Sequence, residues 1–211
     1  MNVGHIIYLN GTSSAGKSSI AAALQTTLPA AYHHFSLDRF NGMYPPRYVA
    51  VLPFDAPAPP FAREGMVLRH ESRDGVLRLE THFGPVARRF VTGMRHTIRA
   101  LATTGNNVIV DDVLYGREFI AECVTVLAGV PVTFVEVHCP VPEVARRERA
   151  RGDRLLGLAA WQLPQIRASA EYDLTVDTAR HTPEECAGQI ARFIADTPSP
   201  GAFEHMRERL G

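Results

Sequence analysis

One short segment near the start of the chain has residue types and a spacing that suit phosphate binding. Residues 11–18 read Gly-Thr-Ser-Ser-Ala-Gly-Lys-Ser and match G-x-x-x-x-G-K-[ST] in full. Such a loop turns its backbone N–H groups inward, and the following helix N-terminus adds partial positive charge. We expect Lys17 to contact the β- and γ-phosphates of ATP and the Ser18 hydroxyl to ligate Mg²⁺. The predicted nucleotide-binding residues are Gly11, Thr12, Ser13, Ser14, Ala15, Gly16, Lys17, Ser18 and Ser19.

The usage of basic residues supports this interpretation. Lys17 is the only lysine, and every other one of the 22 basic residues is arginine. An arginine fork is larger and differently shaped, so it could not replace the compact ammonium cleanly. The alternative is a Ser/Gly-rich turn that matches by chance, which average amino-acid usage predicts in roughly one sequence of this length in a hundred.

Three aspartates are candidates for the remaining chemistry. Asp111 and Asp112 end an apolar run, the usual context of a carboxylate that holds Mg²⁺. Successive strand residues face opposite ways, so we expect one of them, Asp111, to face the metal; both could instead cap the next loop. Asp38 follows an earlier strand, where it could accept the proton of an attacking hydroxyl or only cap a turn.

An arginine-rich segment follows the fourth predicted strand of the main sheet. Arg146, Arg147, Arg149, Arg151 and Arg154 lie within nine residues. On a helix, like charges one turn apart repel, and a bound anion would relieve the repulsion. We therefore predict a lid over about residues 147–160 whose arginines close on the phosphates, with Arg147 and Arg151 catalytic and Arg154 on the nucleotide. The alternative is a solvated helix face balanced by neighbouring glutamates.

The elements that must position these residues alternate between strand and helix. Short apolar runs predict strands, and apolar residues at helical spacing predict the helices between them. This pattern is typical of a parallel sheet covered on both faces, which binds ligands beyond the carboxyl ends of its strands. The predicted strands cover residues 5–10, 32–37, 107–114, 131–138 and 173–177; helices are predicted from 18 to 28, 85 to 104, 116 to 128, 142 to 151, 159 to 170 and from 183 onward.

Two segments depart from the alternation. Residues 40–65 hold six prolines interleaved with aromatic residues, and we expect no regular structure there. This segment could wall an acceptor pocket or form a surface insertion. Residues 66–71 and 76–81 flank Asp74-Gly75 and predict a hairpin. We expect one domain over residues 1–197, with an insertion at about 40–83, and a loosely held tail at 198–211.

Composition excludes several classes of protein. The 22 basic residues balance 22 acidic ones, which disfavours broad binding to nucleic acid or anionic membranes. There is no apolar run of membrane-spanning length and no signal-peptide pattern, so we expect a cytoplasmic protein. The three cysteines lack metal-site or redox spacing.

Five segments taken together resemble the chloramphenicol 3-O-phosphotransferase family of P-loop kinases. They are residues 9–18, 35–38, 109–113, 150–154 and 171–178, and the resemblance extends to about residue 196. It implies an α/β fold with a five-stranded parallel sheet and ATP-dependent phosphorylation of a hydroxyl on a small molecule, chloramphenicol in that family. It also implies that Asp38 occupies the catalytic base position. Residues 40–83 depart from the family pattern, so the acceptor could be another antibiotic or metabolite.

Two other functions fit the same motifs. One is a kinase for a primary metabolite or nucleoside, which would use the same parts on a different acceptor. The other is a nucleotide-binding regulatory module that transfers nothing. A base and a cluster of arginines argue against the module, because a nucleotide sensor needs no base for an acceptor.

Overall fold

The computed structural model describes residues 2–74, 76–152, 155–197 and 199–210. The strands in these ranges are β1 (Ile6–Asn10), β2 (Tyr32–Ser36), β3 (Val49–Pro53), β4 (Met66–Arg73), β5 (Val76–Phe83), β6 (Asn107–Asp112), β7 (Val132–His138) and β8 (Leu174–Asp177). The α-helices there are α1 (Lys17–Thr27), α2 (Leu37–Asn41), α3 (Pro60–Glu64), α4 (Pro85–Thr103), α5 (Arg117–Val126), α6 (Val141–Arg151), α7 (Leu158–Ser169), α8 (Pro183–Asp196) and α9 (Ala202–Leu210).

The main sheet has five parallel strands in the order β2-β6-β1-β7-β8. Its central strand β1 is buried along its whole length, as expected for a parallel sheet covered on both faces. Tyr8 points to a core shared with α4, α5 and α9, whereas Ile7 and Leu9 point to a second core shared with α1 and α8. The predicted α/β fold and its five-stranded parallel sheet are confirmed.

The insertion carries more regular structure than its prolines predict, so the expectation for residues 40–65 was wrong. Beside α2 and α3 it contains β3, which pairs in parallel with β4, and β4 pairs antiparallel with β5 as the predicted hairpin. The prolines are tolerated because they stand at element ends. Pro60 begins α3, Pro46 begins a single 3₁₀ turn and Pro53 ends an edge strand.

The C-terminal segment is also more ordered than expected. Residues 202–210 form α9, which packs on α5 and β7 and buries Phe203 and Met206 in the core. The predicted loose tail is therefore wrong for this segment. Its apolar residues are few, but they lie on one face of a helix whose other residues are charged or polar.

Candidate active site

The loop between β1 and α1 has the tight backbone path that its glycines predict. A Cβ atom added at Gly11 would lie 2.5 Å from the carbonyl oxygen of Val137, so no larger residue fits there. Gly16 has a φ of 100°, in the left-handed region that favours glycine. The loop therefore passes close to β7 and then turns directly into the N-terminus of α1.

Lys17 lies folded against this loop. Its Nζ donates hydrogen bonds to the carbonyl oxygens of Gly11, at 3.1 Å, and Thr12, at 2.8 Å. The same nitrogen is 3.9 Å from Oδ1 of Asp111. The ammonium group of the only lysine in the sequence is thus held between the loop and the carboxyl end of β6.

Asp111 and Ser18 are brought together as the sequence predicts. The Ser18 hydroxyl donates to Oδ2 of Asp111 at 2.5 Å, and Nε2 of His34 lies 3.6 Å from the same oxygen. Burial acts to raise the pKa of Asp111, but the His34 imidazole, the Lys17 charge and the Ser18 hydroxyl outweigh it and lower that pKa. A carboxylate beside a hydroxyl is an oxygen donor set that suits Mg²⁺.

Asp112 points to the other side of the sheet. Its Oδ2 accepts a hydrogen bond from the Tyr8 hydroxyl at 2.5 Å, and its Oδ1 accepts one from the backbone N–H of Val113 at 2.7 Å. Burial raises the pKa of Asp112. Strand alternation therefore separates the two neighbouring aspartates: Asp112 points to the α4 side of the sheet, although both residues line the cavity described below.

Arg147 connects three segments around the loop. Its Nη2 donates to the carbonyl oxygen of Thr178 at 2.8 Å, its Nη1 to Thr178 Oγ1 at 3.0 Å and to the Ala15 carbonyl oxygen at 3.3 Å. Its Nε donates to Glu143 at 2.8 Å. Hydrogen bonds from Arg146 and Arg147 lower the pKa of Glu143 to about 2. Protein groups thus already offset much of the repulsion between the arginines, which we had expected a bound anion to relieve.

The predicted lid corresponds to the end of α6 and the start of α7. Glu148 is buried and joins the two helices, because it accepts hydrogen bonds from the backbone N–H groups of Gly157 and Ala159. From α7, Oε1 of Gln162 accepts a hydrogen bond from the N–H of Ser13 at 2.7 Å. Of the other predicted arginines, Arg149 is exposed and Arg154 lies outside the described residues.

A cavity of about 720 Å³ extends from the loop to the insertion. At one end, the nucleotide end, it is lined by loop residues, by Lys17, Ser18 and Ser19, and by Arg147 and Arg151 of α6. The other end, the acceptor end, is mostly apolar; its lining includes Met66, Leu68, Leu79, Phe83, Phe90 and Met94. Asp38, in the first turn of α2, also lines the cavity.

The predicted loop residues divide into two groups. Cavity-lining members are Ser13, Ser14, Gly16, Lys17, Ser18 and Ser19. Gly11, Thr12 and Ala15 are buried and are absent from that lining. The proline-rich segment 40–65 contributes Asn41 and Tyr44 to the cavity wall, and its role in an acceptor pocket stays a prediction.

Several residues at the site have no motif in the sequence. No motif in the sequence marks His34, and only the pairing of β2 with β6 places it beside Asp111. Arg95 of α4 lines the cavity although it is 1% exposed. Its position next to Met94, on the apolar side of the predicted helix, was the one available signal.

Comparison with known proteins gives the family. Residues 4–195 match the family described as chloramphenicol phosphotransferase-like protein. The chain belongs to this family. Proteins of Mycobacterium tuberculosis strains CDC 1551 and H37Rv, each described as a proposed O-phosphotransferase, are 34% identical to it over 210 residues, covering 100% of this chain and 91% of theirs.

Solved structures share the fold of this chloramphenicol phosphotransferase-like chain. APS kinase of Mycobacterium tuberculosis, in complex with AMPPNP and APS, matches with a TM-score of 0.62 at 16% identity, over 92% of this chain and 99% of that one. The tunicamycin resistance protein of Deinococcus radiodurans matches with a TM-score of 0.58 at 16% identity, over 93% of this chain and 96% of that one. Shikimate kinase of Acinetobacter baumannii matches with a TM-score of 0.55 at 17% identity, over 92% of this chain and 94% of that one.

The family match and the relatives confirm the resemblance seen in the sequence. The chain is an enzyme of the kinase type, a phosphotransferase with the P-loop kinase fold. None of the helices in the described ranges has the length and apolar character needed to cross a bilayer.

Proposed function

We propose that the enzyme transfers the γ-phosphoryl group of ATP to a hydroxyl of a small molecule, chloramphenicol or a similar antibiotic or metabolite. The observation that carries this proposal is the continuous cavity, which joins the phosphate-binding loop to an apolar acceptor end with Asp38 in its wall. A kinase must hold both substrates in one such space, because transfer needs the attacking oxygen in line with the leaving oxygen.

The loop and Lys17 bind the phosphates at the nucleotide end. On arrival of nucleotide, the Nζ of Lys17 exchanges its bonds to Gly11 and Thr12 for phosphate oxygens. Arg147 and Arg151 line the same end and offset the charge that spreads over the transferring group. Ser18 and Asp111 would hold Mg²⁺, which supplies charge neutralisation on the phosphate oxygens when bound.

Asp38 acts as the general base in this proposal. It accepts the proton of the acceptor hydroxyl while the oxygen forms a bond to the γ-phosphorus and the bond from that phosphorus to the β-phosphate bridging oxygen breaks. ADP leaves with the bridging oxygen, and the proton passes from Asp38 to water. The carboxylate of Asp38 also orients the hydroxyl for attack.

The test is a panel of hydroxyl compounds incubated with γ-labelled ATP and the wild-type enzyme. We expect labelled product from chloramphenicol or a related alcohol, and a loss of transfer of at least about 100-fold in Asp38→Asn with nucleotide affinity retained. Asp55→Asn, an exposed aspartate of the insertion, is the control. Unchanged turnover in Asp38→Asn would remove Asp38 from the mechanism.

Two other results would change the assignment. Phosphorylation of a primary metabolite with none of chloramphenicol would make the enzyme a metabolite kinase with the same machinery. Saturable ATP binding with no product from any acceptor would contradict transfer and favour a regulatory module.

A further inference from the structure

Unpartnered polar atoms are concentrated in the wall of the cavity. Within the described residues, five buried side-chain nitrogen or oxygen atoms have no hydrogen-bond partner, and four of them belong to residues that line this cavity. One of those atoms, Ser14 Oγ, belongs to the loop at the nucleotide end, and the other three, Tyr44 Oη, Thr81 Oγ1 and Arg95 Nε, belong to residues toward the acceptor end. Buried polar groups are nearly always paired in folded proteins, so a cluster of unpaired ones in a cavity wall points to a ligand that pairs with them.

Arg95 is the charged member of this cluster. Its Nη1 donates to Glu122 of α5, which also accepts from Thr92, and its Cζ lies 5.4 Å from the ring centroid of Phe119. The guanidinium is therefore fixed in position by a carboxylate and an aromatic ring. Its Nε has no partner that meets hydrogen-bond geometry in the part of the chain that is described, although Arg95 also interacts with the Cys123 thiol and counters the effect of burial on the pKa of that thiol.

Arg95 belongs to the acceptor end. It projects from α4, which covers the face of the sheet to which Tyr8 and Asp112 point, whereas Ser18 and Asp111 lie on the α1 side. The charge of Arg95 acts on Asp112 and counters the effect of burial on the pKa of that carboxyl. The guanidinium thus lies on the opposite side of the strand ends from the residues that would hold phosphate and metal.

The charges around Arg95 leave no surplus of positive charge that would attract an anionic acceptor. Glu122 already offsets the guanidinium, and Asp112 adds a second carboxyl group nearby. The other basic residues of the described cavity wall belong to the nucleotide end. They are Lys17, Arg146, Arg147, Arg151 and His181. An uncharged molecule with an oxygen that accepts a hydrogen bond fits this end better than a carboxylate does.

We infer that Arg95 is an acceptor-binding residue that donates a hydrogen bond to an oxygen of an uncharged acceptor, at an atom other than the hydroxyl that is phosphorylated. Glu122 is the positioning residue that holds Arg95. Tyr44, whose ring centroid lies 4.8 Å from that of Phe90, offers its hydroxyl as a second hydrogen-bonding group for the same molecule. The inference rests on the proposed function for its assignment of the two ends of the cavity.

The experiment measures binding separately from turnover. Calorimetry with AMPPNP present gives the Kd of uncharged probes, chloramphenicol and other aryl alcohols with further oxygen atoms, and of carboxylate probes such as shikimate. The variants are Arg95→Lys, which keeps the charge but loses the fork, and Glu122→Gln. The pair Arg88 and Glu118 joins the same two helices at the surface and gives the control variants Arg88→Lys and Glu118→Gln.

We expect the wild-type enzyme to bind at least one uncharged probe, and to bind none of the carboxylate probes more tightly than that one. Arg95→Lys should raise the Kd of that probe about tenfold or more, as loss of a charge-assisted hydrogen bond does, and leave the Kd of AMPPNP within about twofold. Glu122→Gln should raise the KM for the acceptor more than it lowers kcat. The control variants Arg88→Lys and Glu118→Gln should leave the Kd of the probe and the KM for the acceptor unchanged.

Three results would overturn the inference. The first is that the wild type binds carboxylate probes in preference, and the second is that it binds no uncharged probe. The third is an unchanged probe affinity in Arg95→Lys; if that variant does not fold, Glu122→Gln takes its place. Failure of the proposed function is distinguishable from these results, because Arg95-dependent binding of a probe that is not phosphorylated would keep the binding role of Arg95 and remove the proposed transfer to that probe. Phosphorylation of a probe that does not depend on Arg95 would keep the proposed transfer and remove the binding role of Arg95.

Discussion

Glu148, on the arginine-rich helix α6, accepts a hydrogen bond from the backbone N–H of Ala159 in the first turn of α7, at 2.8 Å. Its second oxygen accepts from the N–H of Gly157 at 3.0 Å. The sequence suggests that this glutamate balances its arginine neighbours. In the structure it is a buried carboxylate that satisfies the N-terminus of the next helix, where a negative charge is favourable.

Glu148→Ala should destabilise the enzyme by about 2–4 kcal/mol, because one buried and one partly buried backbone N–H group lose their acceptor. Urea unfolding measures the free energy of unfolding, and Glu148→Gln, which can still accept, should lose less. Glu208→Ala, at an exposed position of α9, is the matched control and should stay within about 0.5 kcal/mol of wild type. Equal stabilities of Glu148→Ala and the control would contradict the assigned role.

Lys17→Ala should weaken both nucleotide affinity and turnover, because the ammonium would contact the phosphates in the ground state and in the transition state. Lys17→Arg should not restore turnover, since the larger fork does not fit between the loop and Asp111. Titration with a fluorescent ATP analogue and steady-state kinetics provide the two measurements. Wild-type values in Lys17→Ala would rule out the phosphate role of the loop.

Asp111→Asn and Asp112→Asn should have different effects although the residues are adjacent. Asp111→Asn should raise the Mg²⁺ concentration needed for half-maximal activity about tenfold or more, because a charged oxygen donor is lost. Asp112→Asn should instead lower the free energy of unfolding by about 1–3 kcal/mol, because its hydrogen bonds from Tyr8 and Val113 are weakened in a buried place. A reversed pattern would mean that Asp112 faces the metal.

The three cysteines should be inert in the native enzyme. Burial raises the pKa of Cys123 to about 12 and that of Cys186 to about 11, and it also raises the pKa of Cys139. At pH 8 the reactive thiolate is therefore scarcer than in a free thiol. Reaction with a coloured disulfide reagent should release no dye within minutes and three equivalents after unfolding. Fast native labelling would disprove this burial.

The strands and helices of the main sheet could be predicted because the local pattern and the tertiary environment agree there. A run such as 107–112 is apolar because it is covered on both faces, and the helix from Pro85 begins and ends with the residues that favour such ends. The loop and the placement of Asp111 follow from the same local information, since a motif and strand alternation suffice.

The remaining features depend on contacts distant in sequence. Arg95 is buried only because Glu122 of another helix neutralises it, and the separation of 27 residues hides that pairing from any local pattern. The strand β3 forms because β4 offers it a parallel partner, which proline content alone cannot show. His34 reaches Asp111 only through the order of strands in the sheet.

The helix α9 has a consequence for how the enzyme is made. Its Phe203 contacts Tyr8 of the first strand, with ring centroids 5.8 Å apart, and Phe134 of β7, at 5.0 Å. A ribosome that adds about 5–20 residues per second needs on the order of ten seconds or more to travel between Tyr8 and Phe203. Until this late segment has emerged, α4 and α5 cover that side of the sheet without it, and the part of the core that Phe203 and Met206 fill stays open. The enzyme therefore completes its folding only after α9 is made.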